Sequence, residues 1–332
     1  MSEGPIRVAV VGVGGFGRNH VRVWREIEGA RLAGILDTDP GRAEQVAAEF
    51  GTRVIPDPDA LSRESVDAIS LAVPTQDHAH IGCRLLDRGF DLLVEKPIAT
   101  SLEEADRLIA SAKRAGRILQ IGHVERFNPA VGAAQAIISR PLFFEVHRLG
   151  VFTPRSLDVD VIYDVMIHDL DILLSVMSAP VTDLRAVGIP VITDKVDIAH
   201  ARIEFSTGAV ANLTASRVST ERVRKMRFFQ EHEYISVDFT RQDVLRVRVE
   251  PDPAQADIHQ PQIKFENIPT TPGEPLRAEL AAFLESVRTR KAPIVDGPAG
   301  RRALELADRV MAGILEHARR VQLGALSPQE VK

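Results

Sequence analysis

The chain has 332 residues, a formal net charge of -5, 45% hydrophobic and 26% charged residues, and one cysteine. That length fits about two domains with room for a cofactor pocket. The weak net charge argues against nucleic acid as a main ligand, and Cys83 alone can build neither a disulfide framework nor a zinc site. Because we find no charged leader and no run of 18 apolar residues, we expect a cytoplasmic protein with no membrane partner.

The first elements are a strand, a glycine-rich turn and a helix. Apolar residues run over Ile6–Val11, and a helical pattern follows the turn. In this order the first glycine permits a tight turn, the second admits a pyrophosphate, and the third lets the helix pack on the strand. The helix N-terminus then attracts the phosphate charge. The turn residues that we predict to bind a dinucleotide are Gly12, Gly14, Gly15, Phe16 and Gly17.

An acidic residue follows the second predicted strand, over 32–36. Asp37 lies 20 residues beyond Gly17, a spacing that suits a carboxylate on the adenosine ribose hydroxyls. A carboxylate there repels a 2′-phosphate, so we predict NAD as the cofactor. Arg42 keeps NADP open as an alternative.

Strands and helices continue to alternate as far as residue 121. We predict strands over 66–73 and 117–121, a strand ending at Val94, and helices over 78–88 and 102–115. Short turns between such elements indicate a parallel, doubly wound sheet over residues 1–122. Since ligands cross the carboxyl ends of the strands, further cofactor contacts are predicted for Pro74, Thr75, His78, Glu95 and Lys96. Of these His78 is the weakest candidate, because a histidine in a first helical turn more often caps or packs.

The tripeptide Glu95-Lys96-Pro97 stands at the rim of this sheet. Pro97 fixes its own φ and disfavours the helical region for Lys96. The turn therefore holds the lysine ammonium in a restricted place. The alternative is an ordinary solvated lysine.

The remaining residues, 123–332, change to a β-rich pattern that closes with two helices. This succession predicts an α+β domain with a large, mainly antiparallel open sheet covered by helices on one face. The other face of this sheet would be an exposed apolar patch in a monomer, so we expect a homodimer or homotetramer. We predict helices over 129–138, 161–177, 275–288 and 301–321, and strands over 142–148, 184–189, 199–205, 209–216, 223–230, 233–239 and 244–249.

The helix over 161–177 carries the titratable groups of this half. Asp164, His168 and Asp171 fall at i, i+4 and i+7, on one stripe of a regular helix. A carboxylate beside an imidazole favours its protonation and orients the ring, as a general base requires. The alternative is a surface pair. We predict no metal site, because no third ligand is evident.

The glycine turn, Glu95-Lys96-Pro97 and the Asp164-x-x-x-His168 helix occur in this order, and together they resemble the Gfo/Idh/MocA oxidoreductases. The resemblance covers nearly the whole chain. It implies an NAD-binding Rossmann domain followed by a substrate domain. It also implies that Lys96 contacts the reacting hydroxyl, that Asp164 assists, and that His168 is the base.

Three segments are similar to a narrower bacterial group of that family, which oxidises the 3-hydroxyl of UDP-N-acetylglucosamine ahead of amination for lipid A. They are residues 121–129, residues 163–171 and the arginine-rich stretch after Ser216. The resemblance implies a sugar-nucleotide substrate. The substrate contacts that we predict are Lys96, Arg126, Tyr163, Asp164, His168, Arg222 and Arg224.

The cations after Ser216 suit a diphosphate, because arginine donates to phosphate in pairs. Strand alternation places Arg222 and Arg224 on one face. The alternative is a charged sheet edge, which leaves open the roles of Arg217, Lys225 and Arg227. Arg126 is expected to border the cofactor crevice, whereas His123 is either packed or faces the cofactor.

Two other functions remain open. One is oxidation of a free sugar or inositol, which would keep the same lysine and base. The other is a non-catalytic regulator that senses NAD and a sugar. The presence of Lys96, Asp164 and His168 together argues against the regulator, because a sensor needs no complete catalytic set.

Overall fold

The chain forms two compact units in a computed structural model that describes residues 4–154, 159–250 and 262–326. The first unit is Met1–Phe127 with Glu274–Leu304, and the second is Asn128–Gly273 with Glu305–Lys332. The division predicted between residues 122 and 123 lies near the first of these boundaries, but Glu274–Leu304 belongs to the first unit. Aromatic packing explains this return, since the buried rings of Phe283 and Trp24 meet edge to face with centroids 6.3 Å apart.

The first unit contains a five-stranded sheet in which all neighbours are parallel, in the order β2-β1-β3-β4-β5. Every residue of β3, β4 and β5 is buried, which explains their nearly continuous apolar sequences. This confirms the predicted doubly wound parallel sheet. The strands are β1 (Ile6–Val11), β2 (Ala30–Leu36), β3 (Ala68–Leu71), β4 (Asp91–Glu95) and β5 (Leu119–Gly122).

Helices connect these strands: α1 (Gly17–Glu26), α2 (Pro40–Phe50), α3 (Thr75–Asp87) and α4 (Leu102–Ala115). The bounds of α4 match the prediction because both ends carry capping signals. Ser101 accepts the Glu104 N-H at its N-terminus, and Gly116 takes the left-handed conformation after its last residue. The sequence patterns used above did not predict α2, whose N-cap is Asp39.

The second unit contains an eight-stranded sheet in the order β13-β12-β11-β10-β6-β9-β8-β7. Only the β6-β9 neighbours are parallel among its described pairs. This confirms the predicted large, mainly antiparallel sheet, and β13 is a strand that the pattern missed. The strands are β6 (Phe143–Leu149), β7 (Val181–Ile189), β8 (Ile198–Phe205), β9 (Val210–Ser216), β10 (Val223–Gln230), β11 (Glu233–Asp238), β12 (Asp243–Glu250) and β13 (Gln262–Ile268).

Strand alternation gives this sheet one covered and one open face. Side chains toward the covered face are buried, such as Phe144 and Phe228, and those toward the open face, such as Glu145 and Arg227, are half-buried. The chain's other helices are α5 (Pro129–Gln135), α6 (Ile167–Val176), α7 (Pro275–Thr289) and α8 (Gly297–Arg320). Across the described ranges, no helix is both long and apolar enough to cross a membrane.

The helix predicted over 161–177 is not regular throughout. Ile162–Met166 forms a π-helical turn, closed by a bond from the Ile167 N-H to the Ile162 carbonyl, and α6 begins only at Ile167. The wider turn changes the angular spacing that a regular helix imposes. Asp164 lies in this π-helical turn, whereas His168 and Asp171 lie in the regular helix α6.

A buried ion pair joins α6 to the sheet. The Arg148 guanidinium donates from Nε and Nη2 to the two carboxylate oxygens of Asp169, at 2.8 and 2.7 Å. It also lies over the Phe239 ring, 4.7 Å from the centroid. Because Asp169 follows His168 directly, this pair fixes the helix that presents the histidine.

We predict that Arg148→Met lowers the free energy of unfolding by about 3–5 kcal/mol, because it removes the bidentate cation from a buried carboxylate. Urea unfolding measures the change. Arg202→Met is the control, since its exposed pair with Glu204 at 3.2 Å should contribute less than about 1 kcal/mol. Equal, small losses in the two variants would contradict the role of the buried pair.

Candidate active site

The glycine turn after β1 has the shape that a pyrophosphate requires. Gly12 has φ of +83°, and a Cβ there would lie 2.6 Å from the Ala72 carbonyl oxygen. A Cβ at Gly17 would lie 1.9 Å from the Gly12 oxygen. At Gly14 and Gly15 nothing lies within 4 Å of a built Cβ. The outer glycines are thus required by packing, and the inner two leave open space before the N-terminus of α1.

Asp37 closes this turn from the end of β2. Its carboxylate accepts the backbone N-H groups of Val13 and Asp39 at 2.8 and 2.9 Å, and an Arg42 N-H at 2.8 Å. Burial raises the pKa of Asp37, but the hydrogen bonds from Arg42, Asp39 and Val13 outweigh it and hold the pKa below its ordinary value. The group is therefore an anion at neutral pH, which suits an acceptor for ribose hydroxyls.

Glu95 and Lys96 lie at the carboxyl end of β4. The Glu95 side chain is buried, and its Oε2 is 3.3 Å from the Lys96 N-H nitrogen. Its other oxygen, Oε1, lies 3.1 Å from Nε2 of His20. Lys96 is half-buried, and the Lys96–Pro97 peptide bond is cis.

The β3 end contributes Pro74, Thr75 and His78. Pro74 is exposed and precedes α3, and Thr75 is its half-buried first residue. The His78 ring is buried, with Nδ1 and Nε2 each 3.0 Å from a carbonyl oxygen, of Pro97 and Val73 respectively. Burial lowers the pKa of His78, although both carbonyl contacts favour the protonated ring. A neutral ring has one N-H and donates to only one of these two carbonyls.

In the second unit, Tyr163 and Asp164 lie in the π-helical turn and His168 in α6. All three are half-buried, whereas Asp171 is only 2% exposed. The Tyr163 hydroxyl donates to Asp308 at 2.8 Å. Burial and the Asp308 carboxylate raise the pKa of Tyr163. The side chains of Tyr163, Asp164 and His168 are thus partly accessible, whereas that of Asp171 is packed.

The cation cluster after β9 consists of Arg217, Arg222, Arg224, Lys225 and Arg227. Three members have carboxylate neighbours within the unit: Arg217 with Asp197 at 3.4 Å, Lys225 with Asp238 at 3.6 Å, and Arg227 with Glu145 at 2.8 Å. Arg222 and Arg224 are exposed on either side of Val223. In the first unit, Arg126 is half-buried on a 3-10 turn, Val124–Phe127, and His123 is fully buried.

Sequence patterns missed a buried polar group beneath Glu95. It consists of His20, Ser70, Glu279 and the indole N-H of Trp24, and all four residues are fully buried. The sequence offered one indication of this group: His20 lies beside Val21 and Trp24 in the apolar pattern of α1, where a histidine needs a buried polar partner. Among the described residues, one ligand-type atom from each of His20, Glu95 and Glu279 lies within 4.8 Å of the other two, which is close enough to hold a metal ion.

Two family models match consecutive parts of the chain. One is described as the oxidoreductase family, NAD-binding Rossmann fold, and matches residues 6–123. The other is described as the GFO/IDH/MocA C-terminal domain and matches residues 133–236. The first confirms the predicted cofactor, and the glycine turn and Asp37 fit it.

The chain is 40% identical over 310 residues to UDP-N-acetylglucosamine 3-dehydrogenase of Acidithiobacillus ferrooxidans, covering 93% of this chain and 97% of the relative. It is 31% identical over 235 residues to scyllo-inositol 2-dehydrogenase (NAD(+)) of Bacillus subtilis, covering 65% and 69%.

The solved structure of the Acidithiobacillus ferrooxidans enzyme matches with a TM-score of 0.85 at 38% identity, covering 93% of this chain and 98% of the other. An Agrobacterium radiobacter oxidoreductase, solved with NAD+, L-tartaric acid and magnesium, has a TM-score of 0.82 at 18% identity, covering 94% and 97%. This second likeness shows the fold alone. Consecutive family models and a relative similar along almost its whole length establish that the chain belongs to the Gfo/Idh/MocA family of NAD-binding oxidoreductases.

Proposed function

We propose that this protein oxidises the 3-hydroxyl of UDP-N-acetylglucosamine to the 3-keto sugar nucleotide. The observation that carries the proposal is the extent of the match: 40% identity through 93% of the chain to the dehydrogenase named for that reaction. Similarity to the inositol enzyme spans 65% of the chain. A place ahead of amination for lipid A belongs to the same proposal.

We assign proton removal from the 3-hydroxyl to His168, with Asp164 assisting. Both side chains are partly accessible, and π-helical turns occur frequently at functional sites. Lys96 holds the hydroxyl and stabilises the negative charge that develops on its oxygen. NAD, when bound, supplies the acceptor for the C3 hydride.

Recognition of the diphosphate is assigned to arginines. Arg222 and Arg224 lie on either side of Val223, and both side chains are exposed. A guanidinium donates to phosphate oxygens in pairs. Arg126 is assigned to the substrate as well. Tyr163 contributes its ring, since its hydroxyl is bound to Asp308.

Oxidation of a free polyol is the second candidate function, favoured by the 31% identity to the scyllo-inositol enzyme. It would leave the roles of Lys96, Asp164 and His168 unchanged. Only the residues that we assign to the diphosphate would then lose their purpose. Substrate choice therefore separates the two functions.

We also propose that the open face of the large sheet joins copies of this chain as a homodimer or homotetramer. An apolar row crosses neighbouring strands of that face in register: Phe143, Phe229, Tyr234, Val247 and Phe265. The Phe229 and Tyr234 rings stack with centroids 5.0 Å apart, and Phe265 is 69% exposed. Such a row is costly to leave in water.

Light scattering in solution tests this assembly. We expect a dimer or tetramer for the wild type and smaller species for Phe265→Lys, which places a charge in the apolar row. Ile294→Lys is the control, because Ile294 is equally apolar and 62% exposed but lies in the first unit. A monomeric wild-type protein would contradict the proposal.

A panel of substrates tests the reaction itself. With NAD and the wild-type protein, we expect NADH formation from UDP-N-acetylglucosamine and little from free N-acetylglucosamine or inositols. Robust turnover of an inositol and of no sugar nucleotide would favour the second candidate. If no compound formed NADH while a sugar and NAD bound cooperatively, the protein would be a sensor.

The proposed base has its own prediction. His168→Ala should lower kcat by about 10²- to 10⁴-fold, the usual contribution of general base catalysis, with the Kd for NAD nearly unchanged. His232→Ala is the matched control, because His232 is exposed on the hairpin between β10 and β11. Normal turnover by His168→Ala would remove this residue from the mechanism.

Cofactor choice should depend on Asp37. Asp37→Ser replaces the charged acceptor for the ribose by a shorter neutral hydroxyl and releases Arg42 from its 2.8 Å hydrogen bond. We expect kcat/KM for NAD to fall by about 10- to 100-fold, the value of one charged hydrogen bond, and that for NADP to rise. In the double variant with Arg42→Ala, the gain with NADP should disappear. An unchanged preference in Asp37→Ser would contradict this role.

A further inference from the structure

A chain of buried polar groups runs beneath the Lys96 turn in the first unit. The Trp24 indole N-H donates to Ser70 Oγ at 3.0 Å, and that oxygen lies 3.1 Å from His20 Nδ1. The other ring nitrogen, Nε2, lies 3.1 Å from Glu95 Oε1. Trp24, Ser70 and His20 are fully buried. A polar chain of this kind is rare in an apolar core unless its members satisfy one another.

The chemistry of these groups sets the direction of the hydrogen bonds. An indole N-H only donates, so Ser70 Oγ accepts from Trp24 and keeps its own hydrogen for His20 Nδ1. Because Nδ1 accepts from Ser70, it carries no hydrogen, so the ring hydrogen is on Nε2, which faces Glu95 Oε1. The two atoms are at hydrogen-bond distance, although the contact is too bent to meet a strict angular criterion.

The Glu95 carboxylate connects His20 to the backbone of Lys96. Its Oε2 lies 3.3 Å from the Lys96 nitrogen, while Oε1 faces His20. The neighbouring strand leaves room for the carboxylate: Gly122 pairs with Glu95, and a Cβ at Gly122 would lie 2.6 Å from Oε1. The carboxylate is thus held between α1 on one side and a glycine of β5 on the other.

A second histidine contacts the backbone of the residue that follows Lys96. His78 of α3 lies 3.0 Å from the carbonyl oxygen of Pro97, the residue after Lys96. The two residues that flank Lys96, Glu95 and Pro97, therefore each contact a buried histidine. The His20 ring also meets the Phe16 ring of the glycine turn, with centroids 5.2 Å apart. His20 thus contacts a residue of the predicted pyrophosphate turn.

We propose that His20 is a positioning residue for the reaction: it orients Glu95, and Glu95 holds the backbone from which Lys96 reaches the reacting hydroxyl. This inference rests on the role proposed for Lys96. The side chains that face His20 are Phe16 of the glycine turn, Ser70 of β3, Glu95 of β4 and Glu279 of α7. His20 acts through Glu95 and touches no reacting atom.

Nitrogen-15 NMR of histidine-labelled wild-type protein tests the hydrogen-bond direction without any substrate. The His20 signals are identified by their loss in His20→Gln. We expect a hydrogen on Nε2. A bare Nε2 would overturn the inference, whatever the substrate panel shows, and so would one equivalent of a divalent metal ion that is lost in His20→Leu.

Kinetics test whether His20 acts through Lys96, with whichever substrate the wild type oxidises. His20→Leu should lower kcat by about 10- to 100-fold, the value of one hydrogen bond to a charged group, with little change in the KM for NAD. His20→Gln, which keeps an N-H toward Glu95, should recover most of the loss. In a Lys96→Met background, His20→Leu should cost nothing further, because residues that act as a unit are not additive.

Gly122→Ala provides a variant that leaves His20 intact. Its methyl group displaces the Glu95 carboxylate from the opposite side, so it should produce the same selective loss of kcat. Equal damage in His20→Leu and His20→Gln, or a full further loss in the Lys96→Met background, would show that His20 serves stability alone. Failure of the wild type to oxidise any substrate would refute the proposed function, and the NMR result would still decide this inference.

Discussion

Burial of a carboxylate at the end of a parallel strand is the constraint on which the first unit depends. An ionised group in an apolar core costs several kcal/mol unless donors meet it. The Lys96 N-H donates to Glu95 Oε2, and His20 Nε2 lies 3.1 Å from Oε1. Gly122 supplies the space for the carboxylate. Lys96, to which we assign the reacting hydroxyl, is thereby attached to the core of the nucleotide-binding unit.

The second unit also contains a buried carboxylate, on the helix that carries His168. Asp169 is buried against Arg148, which leaves the preceding residue, His168, partly accessible at a fixed place on α6. The π-helical turn before it widens the backbone around Tyr163 and Asp164. In each unit, therefore, a buried charge sits next in sequence to the residue to which we assign chemistry.

Much of this architecture could be predicted from local signals. The glycine turn, the capping pair Ser101 and Glu104, and strand alternation depend on neighbouring residues alone, and the sheets that they predicted are present. Asp39-Pro40 is a helix start that the apolar pattern alone did not show. The π-helical turn has no such local signal. The ion pairs of Lys225 with Asp238 and of Arg227 with Glu145 depend on strand register. The His20 contacts with Ser70 and Glu95 join residues 50 or more positions apart.

The central claim is that the hydride leaves C3 of a UDP-linked N-acetylhexosamine. UDP-N-acetylglucosamine deuterated at C3 tests it most directly, with the reduced cofactor analysed by mass spectrometry. The account predicts one deuterium in the cofactor from the C3-labelled substrate and none from the C4-labelled one. Unlabelled NADH from the C3-labelled substrate, or deuterium transfer from C4, would contradict it.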